Sequence, residues 1–427
     1  MFISEKYGPL LYNSETNSFA TLEYKLYQQL LDFKNSKTDI NTFDSDVINQ
    51  LIKGKIITTE EQSVFQTKKL KYYINTFNSS ALSLAIAPTT ACNFDCPYCY
   101  EKNKKAIFMS KETENNLISF IKKHDHIQAI NLEWYGGEPL IGFEVIHNLL
   151  DKLSQELSDI SLKSHQMITN GFLLDEDKSR FFMRYPLESI QITIDGNKHT
   201  HDQRRILKSG KGTYDTIISN IDTFLEYNKD TLVLIRVNID TTNAAEFHSV
   251  YKILKERWNG KKVTIYPAFI QNYAEACSNS CNVLSSEDQM NFYIDLFEKY
   301  GTPINTYPHL LVGGCGATNI NYYVVGPNGE LYKCWNDIGI QGKIIGFLDK
   351  DNIPNKEVLC QYLVGPTMFD DPQCNSCSLS PICNGGCQWM RLKNINEGGK
   401  FDLCTNKKDH LNTFLELHYA IQKAKKA

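Results

Sequence analysis

Thr89-Thr90-Ala91-Cys92-Asn93-Phe94-Asp95-Cys96-Pro97-Tyr98-Cys99-Tyr100 places three cysteines within eight residues, spaced C-x3-C-x2-C. Three thiolates this close can hold three irons of a cubane iron–sulfur cluster and leave the fourth iron without a protein ligand. An iron with an open position binds a small molecule and passes it one electron. The bland alternatives are three small buried residues or part of a zinc knuckle. Zinc favours paired C-x2-C ligands, and this triad has no neighbouring fourth Cys or His.

Around this stretch, the chain reads as a globular protein of two or three domains. It has 427 residues, 42% apolar and 22% charged, more than one ordinary core holds. A formal net charge of −4 argues against a general nucleic-acid binder. No apolar run approaches membrane-spanning length. Met1-Phe2-Ile3-Ser4-Glu5-Lys6 lacks the basic-then-apolar form of a signal peptide, so a cytoplasmic location is expected. Thirteen cysteines in such a chain point to metal or cluster ligation rather than to disulfides.

From Ser80 to about Phe269 strand patterns alternate with helical ones. The strand candidates are Leu82–Ala87, Ile130–Trp134, Gln166–Thr169, Ile190–Ile194, Leu232–Val237 and Val263–Tyr266. Amphipathic stretches lie between them, which predicts a parallel sheet with helices outside. Right-handed crossovers curl such a sheet towards a barrel or partial barrel. Ligands bind such folds at the C-terminal strand ends, and the cysteine loop follows the first strand. Tyr135-Gly136-Gly137-Glu138-Pro139 follows the second. Its glycines would let a ligand approach the backbone, and Glu138 would offer a carboxylate to an ammonium group. Thr169-Asn170-Gly171 ends the third strand, Asp195-Gly196 the fourth, with His199, His201, Asp202 and Arg204 beyond it, and Arg236-Val237-Asn238 lies on the fifth. His199 and His201 read as structural or surface groups.

The triad, its flanking aromatics and the Gly-Gly-Glu-Pro segment one βα unit later resemble the radical S-adenosylmethionine (radical SAM) enzymes. That resemblance implies a partial (β/α)6 barrel over residues 79–270. Cys92, Cys96 and Cys99 would hold a 4Fe–4S cluster, and Gly136, Gly137 and Glu138 the amino group of SAM. Thr169, Asn170, Asp195, Arg204, Arg236 and Asn238 would supply polar groups to its ribose and carboxylate.

Beyond a bridging region (271–313), cysteines return. Cys315 precedes a G-x4-C segment ending at Cys334. Cys374, Cys377, Cys383 and Cys387 follow as C-x2-C-x5-C-x3-C, and Cys404 closes the set. Two zinc sites are the alternative for such pairs. In order and spacing the array over 314–410 resembles the SPASM extension of radical SAM enzymes, which carries two auxiliary 4Fe–4S clusters. By that analogy Cys315, Cys334 and Cys387 serve the first, and Cys374, Cys377, Cys383 and Cys404 the second. The first would then take a fourth ligand such as Cys277 or Cys281, or stay open. Cys360, in Val358-Leu359-Cys360-Gln361-Tyr362, reads as a core residue. A helix is expected over 411–427.

Residues 1–78 form a separate unit by pattern, with strands at Phe2-Ile3-Ser4 and Leu10-Leu11-Tyr12 and helices over 22–33 and 43–52. A hairpin followed by two or three helices is similar to the winged-helix elements that capture a leader peptide by strand addition. The other reading is an extension that caps the barrel.

SPASM enzymes mostly act on peptides. The resemblance implies an oxidoreductase that crosslinks side chains of a ribosomally made precursor peptide carrying a leader. The product would be a Cys thioether to carbon or, alternatively, a carbon–carbon cyclophane, with flavodoxin or ferredoxin as reductant. A sulfatase maturase that makes formylglycine is the nearest other enzyme. In that family an Asp directly follows the cysteine matching Cys334, whereas here Trp335 follows and Asp337 lies further on. Two non-catalytic readings also stand. A peptide-binding partner would leave the chemistry to another enzyme, against which the complete triad and intact Gly136-Gly137-Glu138 speak. A zinc-bearing peptide-binding protein would hold zinc without iron.

Overall fold

The computed structural model describes residues 1–57, 64–99, 101, 105–157, 159–271, 282–351 and 353–426. Cys277 and Cys281 lie outside them. The chain divides into two compact units. One is Met1–Thr76 with Met290–Cys315 and Val364–Ala427; the other is Phe77–Gln289 with Gly316–Leu363. The stretch 314–410 therefore contributes to both.

The first unit opens with strands β1 (Phe2–Ser4), β2 (Gly8–Asn13) and β3 (Ser18–Thr21), followed by helices α1 (Tyr24–Lys34), α2 (Ser45–Lys53) and α3 (Val64–Thr76). The strands form an antiparallel sheet in the order β1-β2-β3. Sequence reading expected two strands here. Phe19–Thr21 runs into α1 without a turn residue and reads as a helix lead-in. Leu11, Leu30, Phe43 and Leu51 make a small core under this sheet.

The second unit holds the site. Strands β4 (Ala81–Ile86), β5 (Ala129–Trp134), β6 (Ser161–Thr169), β7 (Ser189–Thr193), β8 (Leu232–Ile239) and β9 (Val263–Phe269) pair in sequence order, all in parallel. They alternate with α4 (Lys111–Lys122), α5 (Phe143–Glu156), α6 (Glu176–Arg184), α7 (Lys198–Arg204), α8 (Tyr214–Tyr227) and α9 (Phe247–Arg257). The helices form because apolar residues recur every three or four positions and dock on the sheet. α5 buries Val145, Ile146, Leu149 and Leu150, and α8 buries Ile217, Ile218, Ile221, Phe224 and Leu225. Side-chain caps set several starts: Ser110, Asp175 and Asn197 accept backbone N–H groups at α4, α6 and α7. On β5, Ile130, Leu132 and Trp134 are buried while Asn131 and Glu133 alternate onto the other face. The six parallel strands expected from the pattern are present, with helices in all five connections between them.

Helix α10 (Ser286–Glu298) has residues in each unit, and three further strands extend the sheet. β10 (Tyr322–Val325) pairs in parallel with β4; β11 (Glu330–Tyr332) and β12 (Gly346–Phe347) continue antiparallel, giving the order β12-β11-β10-β4-β5-β6-β7-β8-β9. Tyr322, Tyr332, Ile338 and Ile344 pack on Ala85 and Ala87. α11 (Lys356–Leu363) ends this unit; α12 (Pro372–Asn375), α13 (Gln388–Asn396) and α14 (Leu411–Ala424) belong to the first. Cys360 corrects the core assignment, because it is exposed. On α11 the buried face is set by Val358 and Tyr362, four apart, and residue 360 falls on the opposite side. No described cysteine is in a disulfide. No helix among the described residues is long and apolar enough to cross a membrane.

His165 ties β6 to its neighbours inside the core, at 3% exposure. Its Nε2 accepts from Trp134 Nε1 (2.7 Å) and its Nδ1 lies 3.1 Å from Pro186 O. Burial lowers its pKa to about 4. The folded value lies below the unfolded one, about 6.5. The contribution is therefore fully present above about pH 6.5 and is lost as pH falls towards 4, by about 3 kcal/mol in all. Urea unfolding of the apo-protein between pH 7.5 and 4.5 should show this loss, and His165→Gln should flatten it. Equal slopes for both proteins would refute the assignment.

Candidate active site

The cysteine loop leaves the C-terminal end of β4 and is pinned on both sides. Thr89 Oγ1 donates to Ile107 O and Thr90 Oγ1 to Lys105 O, each at 2.6 Å. Beyond the first cysteine, Asp95 N donates to Ile206 O (2.9 Å) and Lys208 N to Asn93 O (3.0 Å). The segment after α7 thus buttresses the loop.

Gly136 and Gly137 meet the loop from β5. A Cβ on Gly136 would sit 2.6 Å from Thr89 O, and one on Gly137 2.6 Å from Thr90 O and closer still to Ala91 O. Gly136 also has φ +119°, which favours glycine. The pair also lets the cysteine loop itself approach β5 closely. Glu138 follows, 1% exposed. Its N–H donates to Ala91 O (2.8 Å). Its carboxylate accepts from Leu140 N (3.0 Å), Thr169 Oγ1 (2.6 Å) and Asn170 N (2.7 Å). Of roughly four acceptor positions on a carboxylate, three are taken within the fold. Burial pushes Glu138 up, against these donors and Arg205.

A second network closes the other side. Tyr98 OH donates to Asp195 Oδ2 and accepts from Arg205 Nη1 (2.8 Å) and Asn238 Nδ2 (3.2 Å). Arg204 donates from Nε to Asp195 Oδ2 (3.5 Å) and from Nη1 to Asp240 Oδ2 (2.7 Å). Arg236 Nε donates to Asn238 Oδ1 (2.8 Å) and Asn170 Nδ2 to Asn93 Oδ1 (2.7 Å). The strand-end residues picked from the sequence therefore fall into two linked networks. Tyr98, Arg205, Asn93 and Asp240 were missed as site residues. Tyr98 stands inside the cysteine motif and Arg205 beside Arg204, so adjacency was the available signal. His201 is fully buried, lies 3.3 Å from Asp195 N and 3.1 Å from Thr213 Oγ1, and is structural.

These residues fit a cluster with a polar cofactor beside it. The three thiols are drawn together: burial pushes Cys92 up to about 12, helped by Glu138, Cys96 and Cys99. Burial likewise pushes Cys96 up to about 11, against Arg205. Ligation to a metal removes such protons outright. Among the described residues no three His, Cys, Asp or Glu converge as a single ion requires, whereas a cubane gives each thiolate its own iron. Asp195 Oδ1, Arg204 Nη2, Arg205 Nε and Asn93 Nδ2 are buried without a partner among the described residues. Buried polar groups ordinarily have one, and a ligand with donors and acceptors would supply it.

In the second expected cysteine set, Cys374, Cys377, Cys383, Cys387 and Cys404 all lie in the first unit with Cys315, while Cys334 lies in the second. Gly385 N donates to Cys383 Sγ (3.3 Å). Burial raises Cys374, with Asp371 acting in the same direction.

Gly137→Ala tests the close approach at the triad. Moving Ala91 should cost about 1–3 kcal/mol of stability and weaken SAM binding about tenfold or more. Urea unfolding and binding titration measure both, and wild-type values in each would remove the argument.

Residues 86–254 match the model of the radical SAM superfamily. The chain is 24% identical over 349 residues to a cysteine-type anaerobic sulfatase-maturating enzyme of Clostridium novyi, covering 74% of this chain and 91% of that one. It is 22% identical over 442 residues to the radical SAM cyclopropyl synthase TigE of Paramaledivibacter caminithermalis, covering 88% and 85%. Among solved structures, native anSMEcpe with bound AdoMet superposes with a TM-score of 0.63 at 19% identity, over 80% of this chain and 98% of that one. Streptococcus suis SuiB bound to S-adenosylmethionine gives 0.55 at 17%, over 95% and 100%. With the triad, the glycine pair and the strand-end networks in place on a parallel sheet, the chain carries a radical SAM domain over residues 86–254 and is an enzyme.

Proposed function

We propose that this enzyme oxidatively crosslinks side chains of a ribosomally made precursor peptide, joining a Cys sulfur to carbon. The observation that carries this reading over formylglycine formation concerns Asp337. It is fully buried and accepts from Tyr362 OH (2.7 Å). Trp335 occupies the position directly after Cys334 and packs its ring 4.6 Å from Tyr135. The carboxylate next in the chain is thus committed to a core hydrogen bond rather than presented to a substrate. SuiB, known in a form bound to precursor peptide SuiA, and TigE are similar over most of this chain. Formylglycine maturation of a sulfatase remains the second reading, supported by the likeness to the Clostridium novyi enzyme.

Cys92, Cys96 and Cys99 would hold the 4Fe–4S cluster. Bound there with SAM, it supplies one-electron cleavage of a carbon–sulfur bond and a carbon radical able to take a hydrogen atom from substrate. The chain's part is positioning and exclusion of water. Gly136, Gly137 and Glu138 fix the loop. Thr169 and Asn170 hold the Glu138 carboxylate, leaving one acceptor direction for an ammonium group. Arg204 would face a carboxylate, and Asp195, Asn238 and Arg236 would meet ribose hydroxyls. In this reading Cys315, Cys334 and Cys387 bind a first auxiliary cluster, and Cys374, Cys377, Cys383 and Cys404 a second. Residues 1–78 would receive the leader, with β1 and β3 as the outer strands of their sheet among the described residues. Flavodoxin or ferredoxin as reductant and a cytoplasmic location go with it.

The test is co-expression with a candidate precursor peptide encoded beside the gene, followed by intact mass. A loss of about two mass units per crosslink, with a Cys no longer alkylatable, is the expected result. The same loss with every thiol free means a carbon–carbon bond. An aldehyde on a sulfatase peptide, with the precursor unchanged, overturns the proposal in favour of the second reading.

A further inference from the structure

Helix α3 carries a lysine in the middle of its buried face. Lys68, Tyr72 and Thr76 recur at four-residue spacing and are all buried, Lys68 at 7% exposure. A buried cation on this face breaks the usual pattern, and such breaks concentrate at functional places. Phe65 and Tyr72, on the same helix, pack on Phe369 with ring centroids 5.2 and 5.3 Å away. α3 thereby lies against the loop that bears Cys374, Cys377 and Cys383. Lys68 Nζ donates to Ser380 O and, at 2.6 Å, to Cys383 O. Both acceptors are neutral carbonyl oxygens, and burial lowers the pKa of the ammonium to about 8, against the Cys383 side chain.

A second buried cation holds the other side of the loop. Arg391, 5% exposed, donates from Nη2 to Gly385 O (2.8 Å), and Nη2 lies 4.0 Å from Cys374 Sγ. Its Nη1 pairs with Asp371 (2.9 Å), so much of its charge is matched. Lys408 acts on the Cys404 thiol from the surface, near Asp402. Among the described residues Lys68 has no carboxylate against it.

Taking the proposed second auxiliary cluster as given, we infer that Lys68 is its positioning residue. It fixes the Cys377–Cys383 turn from α3 and holds a buried positive charge beside the cluster. A cluster with four thiolates is anionic and becomes more so on reduction, so a nearby buried cation favours the reduced state and raises its potential. An N-terminal helix outside both the cysteine array and the barrel therefore sets how readily that cluster takes an electron.

Full-length wild type, Lys68→Met, Lys68→Gln and Cys374→Ala are reconstituted anaerobically, their iron is counted, and each is titrated by electron paramagnetic resonance. Lys68→Met should either lose that cluster's iron while keeping the SAM-responsive barrel signal, or keep it with a more negative midpoint. The expected drop is at least tenfold in the reduction equilibrium, about 59 mV for one electron. If Lys68→Met does not fold, Lys68→Gln, neutral but still a donor, decides in the same titration. Full iron with a wild-type midpoint in the folded variant overturns the inference. Should Cys374→Ala bind as much iron as wild type, the cluster assignment itself falls, which is a separate result.

Discussion

Glu138 joins the ends of three strands through one buried residue. Its N–H holds Ala91 after β4, its carboxylate holds Thr169 and Asn170 after β6, and it stands itself just after β5. A carboxylate taken out of water is expensive unless its lone pairs are met, and here three donors from two different strand ends meet them. The same stretch brings Gly136 and Gly137 against the cysteine loop so closely that no side chain fits between. The backbone that leads into the triad is thus fixed by the strand-end junction.

The opposite wall is built on charge. Tyr98, from within the cysteine motif, gathers Asp195, Arg205 and Asn238 onto its hydroxyl, and Arg204 bridges Asp195 to Asp240. Such networks are rigid when satisfied and costly when they are not. Asp195 Oδ1 and Arg204 Nη2 are two of the places where, among the described residues, this one is left open. An acceptor and a donor, both buried and both beside the triad, match a ligand carrying hydroxyl and carboxylate groups.

Much of the barrel was legible in the sequence because its strands carry buried apolar residues at alternate positions, and amphipathic helices separate them. All six strand candidates lie within two residues of an observed strand end on at least one side. The triad was legible because its spacing is chemical rather than structural. What escaped depends on tertiary contact. Tyr322–Val325 and Glu330–Tyr332 flank Gly326-Pro327-Asn328-Gly329, a hairpin signal, but nothing in that signal says the hairpin adds to β4. Asp240 and Arg205 gain roles only through partners brought in by other strands. The pattern around Cys360 suggested burial, and the phase of α11 decided otherwise. Lys68 was unreadable, since a lysine at that spacing gains its meaning from two carbonyls more than 300 residues away.

The most direct measurement is the formation of 5′-deoxyadenosine by the dithionite-reduced, reconstituted chain, with metal analysis of the same sample. The account predicts iron with sulfide, stoichiometric cleavage of SAM, and none of either signal at the barrel site in Cys96→Ala. Zinc without iron, or an iron-loaded chain that leaves SAM intact, would contradict it.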